Sequence, residues 1–401
     1  MTTLRTGTAI IGGGLMGCWT ALMLRRRGHP VIVLERGHVG AQASGVNYGN
    51  LRIQGRHPGQ LPLSLRSAEI WEHLSDYVGE ECEFEASGHL YAARDDAKEI
   101  AKAEDAARQG AAVGLTTEIL DRAALSHRFP WLHGFTMASW SPRDATANPR
   151  LVTPAVARAA LAAGAEIREG VRVRGAAWTG DRFRLEAEEL TVEADTLVNV
   201  AGAWAPEVAG WFGESAPLFP GGPPQFVTDS LPRLIPTSVQ AVDGSVIFRQ
   251  TRQGQVVVAG YPRGVSDPVA IRAPVDARKT LHAMGHLLRA VPALSGATLL
   301  RVWSGIEGYI PDMLPVTGPS LTTPGLFHAF GFCGHGFQLG PGVGAVLADL
   351  VLDGRTATPL RDFSIGRFAD GAKEAEHFRR EFDVASVIRV DTPARGANTF
   401  Q

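Results

Sequence analysis

The chain runs to 401 residues, 45% of them hydrophobic and 20% charged, and its 39 Lys+Arg against 41 Asp+Glu leave a formal net charge of −2. That length exceeds one simple core and suits two interleaved domains. The near-neutral balance excludes bulk electrostatic attraction to nucleic acid or to an anionic membrane.

The first elements read clearly. Residues 8–11 form a short buried strand. Residues 15–27 form a helix with Leu15, Trp19, Leu22 and Met23 near helical spacing and Gly28 as its stop. Residues 31–34 form a second strand, continuous in aliphatic residues as parallel strands are. Residues 64–78, 96–112 and 151–163 are predicted helical. Strands follow at 166–177 and 183–187 about a Gly180-Asp181 turn, and at 196–200, which ends in Ala201-Gly202-Ala203-Trp204. Between 211 and 324 the composition shifts to Pro217, Pro220, Gly221, Gly222, Pro223 and Pro224 with short β runs at 246–249 and 255–259. A strand at 326–330, a glycine-rich turn and a helix over 340–352 come next, and a short charged helix is expected near 373–382.

The predicted fold is therefore α/β. A discontinuous Rossmann-like domain (residues 1–80, 145–210 and 325–368) carries an inserted α+β substrate domain (81–144 and 211–324) built on a mostly antiparallel sheet. Residues 369–401 form a C-terminal extension. The three cysteines, Cys18, Cys82 and Cys333, form no Cys-x-x-Cys pair, which fits free thiols in a reducing compartment and argues against a metal site. With no signal-peptide pattern and no long apolar run, the expected location is the cytoplasm, without a transmembrane segment.

The strongest motif is Gly12-x-Gly14-x-x-Gly17, set between the first strand and the first helix. Gly12 allows the tight turn, Gly14 lets the backbone approach a pyrophosphate, and Gly17 lets helix and strand pack closely. The helix N-terminus supplies free N–H donors and the positive end of its dipole. Glu35 closes the second strand about 20 residues beyond the last glycine, where a carboxylate accepts hydrogen bonds from a ribose diol and disfavours a 2′-phosphate. This motif does not separate FAD from NAD. The run Gly331-Phe332-Cys333-Gly334-His335-Gly336-Phe337-Gln338-Leu339-Gly340-Pro341 favours FAD, because a second glycine-rich helix start sets N–H donors against an electron-rich flavin ring.

Four segments carry a family resemblance: the N-terminal βαβ unit; Ala43-Ser44-Gly45-Val46-Asn47 through Arg52; Trp303-Ser304-Gly305 through Pro311-Asp312 and Pro315; and the run from Gly331 to Gly340. Together they resemble the D-amino-acid oxidase class of flavoproteins, which includes glycine oxidase and sarcosine oxidase, over most of the chain to about Phe368. Within that class, Arg52-Ile53-Gln54-Gly55-Arg56 and Gly305-Ile306-Glu307-Gly308 most resemble the β subunits of bacterial opine oxidases, hydrogen cyanide synthase and D-hydroxyproline dehydrogenases.

The resemblance implies non-covalent FAD. Its ADP half would be held by Gly12, Gly14, Leu15, Met16, Gly17, Glu35 and Arg36, and adenine would meet the Val173 backbone. Ser44, Gly45, Asn50 and Arg52 would lie near the pyrophosphate and isoalloxazine. Ala201, Gly202 and Trp204 would line the cofactor, and Gly334, His335, Gly336, Phe337 and Gln338 would border the flavin. Two departures stand out. Glu307 occupies the place of the carboxylate-binding arginine of glycine oxidase-type enzymes, and Val258 that of the oxygen-activating lysine of sarcosine oxidases. The second favours a dehydrogenase that hands electrons onward, as the catalytic subunit of a hetero-oligomer with an α subunit and an iron–sulfur subunit.

The expected reaction is hydride transfer from the α carbon of an amino acid or secondary amine to flavin N5, leaving an imine that water hydrolyses. Glu307 is the first substrate-contact candidate, for an amine or guanidinium, or else a structural carboxylate. His335 is either a flavin-loop contact or a satisfied loop histidine. Arg249 is either a carboxylate-binding fork or a surface arginine. Tyr261 and Tyr309 are pocket walls or core packing. A self-sufficient oxidase producing peroxide and a non-catalytic FAD-binding subunit are the alternatives, with an NAD enzyme behind them.

Overall fold

The computed structural model describes residues 2–259 and 263–369, together with 371, 373, 374 and 382. Tyr261 and most of the charged helix expected near 373–382 lie outside the described residues.

The first strand, β1 (Thr2–Ile11), passes through the glycine turn into α1 (Leu15–Arg26) and returns as β2 (Val31–Leu34). β1 lies between β2 and the strand Leu190–Asn199, parallel to both, with Ile10 opposite Val33 on one side and Val198 on the other. Glu166–Arg168 and Leu326–Phe330 extend the parallel sheet at either side. Alternation along the strands decides what each face covers. Ile10, Val33 and Val198 join the core beneath α1, while Ala9, Ile11, Ile32 and Leu34 join a second core with Phe183 and Leu185. Each of these larger side chains contributes roughly 1.5–3 kcal/mol when fully buried, so a one-residue register slip, which would exchange the faces, is strongly opposed.

The second large sheet draws its strands from two separated stretches. Leu299–Trp303, Gln225–Ser230, Gln255–Ala259, Ile247–Gln250 and Ser238–Ala241 lie side by side, followed by His89–Ala93, Met137–Ser141 and Glu118–Leu120. All neighbours are antiparallel except Ser238–Ala241 and His89–Ala93. A helix unforeseen in the sequence, Ala277–Ala290, packs on this sheet and is capped by the Asp276 side chain. Three short strands, Gly264–Val265, Phe219–Gly222 and Glu307–Tyr309, form a separate small sheet. Among the described residues, no helix is long and apolar enough to cross a membrane, and no three His, Cys, Asp or Glu side chains group as metal ligands.

Three elements differ from expectation for physical reasons. The predicted strand 166–177 divides into Glu166–Arg168 and Gly175–Trp178. Between them Gly170 and Val171 donate to the carbonyls of Gly37 and Glu35, which folds the chain over the end of β2. The predicted helix 64–78 is interrupted at His73, giving Leu61–Glu72 and Leu74–Val78. The C-terminal helix begins at Gly336 rather than 340 and runs to Asp353 despite Pro341. The backbone groups that the proline disrupts are satisfied from the helix Leu61–Glu72. Gly342 N–H donates to Ser67 Oγ at 2.8 Å, and Trp71 Nε1 donates to the Gln338 carbonyl at 2.8 Å.

Candidate FAD and substrate site

One cavity of about 390 Å³ begins at the glycine turn and ends at the loop 331–336. At its first end Gly12 has φ +118°, and a Cβ there would stand 2.4 Å from the Val200 carbonyl oxygen, so glycine is required. Glu35 is pinned at the end of β2: Gly13 N–H donates to one carboxylate oxygen and Gly37 N–H to the other, each at 2.7 Å. Each oxygen retains acceptor capacity for a diol.

The N-terminus of α1 has no side-chain cap and no acidic residue in its first turn. Gly14, Leu15 and Met16 line the cavity there, and Leu15 N–H meets the Ser44 hydroxyl at 2.9 Å. A helix start with no acidic residue, beside a lining glycine, fits a diphosphate. Val173, Ala201 and Gly202 line the same end, where the Arg36 guanidinium lies 4.3 Å from the Trp204 ring centroid.

At the far end a second helix N-terminus faces the cavity. The helix Gly336–Asp353 follows His335 as its N-cap residue, which makes no side-chain cap bond, and its first turn has no acidic residue. Gly334, His335, Gly336 and Phe337 line the wall. Gly334 N–H donates to Glu307 Oε1 at 2.6 Å, and the Tyr309 hydroxyl donates to Glu307 Oε2 at 2.5 Å. Glu307 therefore ties the loop 331–336 to the small sheet. Two positive helix ends on one elongated cavity suit a ligand with a diphosphate at one end and an electron-rich ring at the other. The residues fit FAD.

Beneath the far end lies a buried polar cluster. Asn50 and Arg52 line the cavity, and Arg52 Nη1 donates to the Gln54 carbonyl. Arg56 donates to the Arg52 carbonyl through Nε at 3.1 Å and Nη2 at 2.9 Å. The whole segment is latched by Asp144 Oδ1, which accepts from Ile53 N–H at 2.9 Å. Burial pushes the Asp144 carboxyl up to about 6, against the Ile53 bond and the Arg52 charge, which hold it down.

Four predicted residues among those described do not line the cavity. Gly17 acts by packing, since a Cβ there would stand 2.0 Å from the Gly12 carbonyl oxygen; Gly45 does the same against the Gly40 carbonyl at 2.2 Å. Gln338 turns away and donates to the Ser64 carbonyl at 2.8 Å. Arg249 is buried and directs Nε to the Tyr48 carbonyl at 3.0 Å and Nη2 to the Ala147 carbonyl at 3.4 Å, away from the expected carboxylate role. Strand alternation also corrects the reading of Val258. Its side chain is fully buried with Phe226 and Phe248, and it is Ala259 that lines the cavity. Among the described lining residues there is no lysine.

Sequence reasoning missed Arg263, which lines the cavity beside Tyr309, and Gln42, whose Oε1 accepts from Ile306 N–H at 3.2 Å. Neither carries a local pattern. Cys333 is a packed side chain. It accepts from Ile310 N–H at 3.2 Å and donates to the Gly331 carbonyl at 3.1 Å. Burial pushes it up to about 12, Cys18 up to about 12 and Cys82 up to about 11. A thiol-reactive dye at pH 8 is expected to label none of the three in the native protein and all three after denaturation. Rapid labelling of the native chain contradicts this.

A family model described as FAD dependent oxidoreductase (DAO) matches residues 8–350. The chain belongs to this family. FAD is thus its cofactor, and the protein is an FAD-dependent oxidoreductase. Glycine oxidase from Geobacillus kaustophilus is 28% identical over 378 residues, covering 91% of this chain and 98% of that protein. Monomeric sarcosine oxidase from Streptomyces avermitilis is 29% identical over 387 residues, covering 90% and 97%. Among solved structures, an L-proline dehydrogenase from P. horikoshii superposes with a TM-score of 0.85 at 24% identity over 93% of this chain and 100% of that one, a likeness of fold. Glycine oxidase from Geobacillus kaustophilus superposes with a TM-score of 0.83 at 26% identity, over 90% and 99%.

Proposed function

We propose that this DAO-family chain oxidises an amino acid or secondary amine of the glycine, sarcosine, D-hydroxyproline or opine type. The observation that carries the reading is the far end of the cavity. There Glu307, Tyr309 and the Gly334 amide form a hydrogen-bonded set with Arg263 over the Tyr309 ring, and Arg52 and Arg56 line the same cavity. A small polar substrate with a carboxylate suits that end better than a large apolar one. Bound FAD supplies the two-electron acceptor that takes a hydride from the substrate α carbon, leaving an imine for water to hydrolyse.

The protein's own share is orientation and electrostatics. Glu35 and the start of α1 hold the nucleotide half. The start of the helix Gly336–Asp353 offers its positive end to the ring. Glu307 fixes Gly334 and Tyr309, and so the shape of the wall that the substrate meets. The residues 81–144 and 211–324, which share the second sheet, form the substrate-facing part in this reading.

The finer reading is a cytoplasmic dehydrogenase, the catalytic subunit of a hetero-oligomer with an α subunit and an iron–sulfur subunit. The lack of lysine among the described lining residues supports electron transfer onward in place of direct use of oxygen. Exposed apolar side chains at Val265 and Val269, close in sequence to the cavity residue Ile271, support a partner surface.

The test is an anaerobic absorbance scan of the purified holoenzyme against glycine, sarcosine, D-hydroxyproline, other D-amino acids and opines. Bleaching of the flavin by one class is expected, with little peroxide when air is readmitted. A flavin that no member of the panel reduces would remove the catalytic reading, and stoichiometric peroxide would favour the self-sufficient oxidase.

A further inference from the structure

The second large sheet meets the cavity with one row of side chains. Gln225 stands directly opposite Ala259, Ala259 opposite Ile247, and Ile247 opposite Gln240, on four adjacent strands. Residues paired in this way point to the same face, and all four line the cavity. The next row, Phe226, Val258, Phe248 and Val239, points to the other face and is buried in the core behind the sheet.

Gln225 is only 4% exposed, and its Oε1 has no hydrogen-bond partner among the described residues. Gln250, equally buried on the strand Ile247–Gln250, shows how a purely structural amide is held. Its Oε1 accepts from the Leu234 and Ile235 N–H groups at 2.7 and 3.0 Å, and its Nε2 donates to the Gly254 carbonyl at 2.9 Å. An amide oxygen kept from water and left without a donor is destabilising, so Gln225 is placed for a donor that enters the cavity. Gln60 and Gln338 also hold unpartnered amide atoms, but neither lines the cavity. Asn50 Oδ1 is unpartnered and does line it, in the segment that the family resemblance gives to the cofactor.

The features that fit FAD, Glu35 and the two helix starts, belong to the first sheet and its helices, whereas Gln225 belongs to the second. A substrate that presents its α carbon to the flavin turns its side arm toward the remaining wall. Ala259 and Ile247, which follow Gln225 in the row, are apolar. A neutral oxygen beside a carbon-lined stretch suits a short arm that ends in a hydroxyl or an amide N–H. We propose that Gln225 accepts a hydrogen bond from that donor, and so selects an amino acid with a polar side arm over glycine, sarcosine and apolar amino acids. This rests on the oxidation reading above.

The test uses the holoenzyme and two matched pairs, 4-hydroxy-D-proline against D-proline and D-serine against D-alanine, with flavin reduction followed anaerobically. The hydroxyl member of one pair or both is expected to be favoured at least about tenfold in rate constant over Kd, because its plain analogue leaves the buried acceptor unmet. Q225L, which fills similar space without the oxygen, should erase that preference, acting on the hydroxyl member more than on its plain partner. Q225E, which keeps an oxygen acceptor, should restore part of it. A third pair, 3-hydroxycyclopentane carboxylate and cyclopentane carboxylate, has no amine to oxidise and reads binding alone through the flavin spectrum.

The absence of a preference in every wild-type pair overturns the proposal, as does a preference that Q225L retains. A Q225L protein with weakened FAD binding and an intact preference would make Gln225 a cofactor contact and overturn it too. Should Q225L lose its flavin altogether, Q225M carries the same comparison. If the unreactive pair shows a preference that Q225L erases while no amino acid or amine reduces the flavin, the oxidation reading fails and the site stands. If amino acids reduce the flavin with no preference in any pair, the oxidation reading stands and the proposal fails.

Discussion

Gly17→Val is expected to yield a folded protein that purifies without flavin. A Cβ at position 17 would stand 2.0 Å from the Gly12 carbonyl oxygen and 3.3 Å from Val200 Cγ2. The first contact is backbone, so no side-chain rotation relieves it, and α1 must move off the sheet. Overpacking of that kind costs about 1–3 kcal/mol of stability, and the same movement displaces the helix-start amides from the phosphate position. Losing about two charge-assisted contacts to the diphosphate, roughly 3 kcal/mol, corresponds to about a hundredfold in FAD affinity. The measurement is the ratio of flavin to protein absorbance after gel filtration, followed by FAD titration. Gly210→Ala is the matched control: nothing lies within 4 Å of the Cβ it would gain, so it should bind FAD as the wild type does. A yellow Gly17→Val protein with undiminished affinity would show that the helix start does not read the phosphates.

The second large effect concerns Asp144 and pH. The side chain is fully buried, latches Ile53 and lies 3.9 Å from His89 Nδ1. Its carboxyl is pushed up to about 6 from an ordinary value of 3.8, chiefly by burial. Between those values the folded state keeps a proton that the unfolded state has released. The group's contribution to stability is therefore full below pH 3.8 and is lost as pH rises through 6. A shift of that size corresponds to about 3 kcal/mol.

His89 works the other way. Burial first, then the Arg52 and Arg56 charges, hold its imidazole well below the usual range, so its contribution is lost as pH falls below 6.5. Comparing Asp144→Asn with wild type cancels His89, because both proteins keep it. The stability difference, from urea unfolding with excess FAD, should shift by about 3 kcal/mol in favour of the variant between pH 4 and pH 7. Parallel stability curves would show that Asp144 is already ionised in the folded protein at pH 4. Asp144→Ala leaves Ile53 N–H without its acceptor and should loosen the Arg52–Arg56 segment, at about 1–3 kcal/mol throughout that range.

The amino-acid sequence by itself determined the glycine turn, α1, β2 and the strand Leu326–Phe330, because each is a local pattern: apolar residues at periods of 2 or 3.6 and glycines where backbones meet. It also pointed to Glu35 and the loop 331–337, which line one cavity in the structure, since both follow buried strands of the same sheet. Tertiary structure decided what depends on distant partners. The helix Gly336–Asp353 begins among glycines and spans Pro341 only because Ser67 and Trp71 take the freed groups. Which of Val258 and Ala259 faces the cavity is a matter of strand parity, set by the Phe226 and Phe248 side chains behind the strand. Arg249 and Arg263 look alike in a sequence. One donates to backbone carbonyls and the other lies on Tyr309 in the cavity wall, because the chain packs a backbone turn against the first and an aromatic ring against the second.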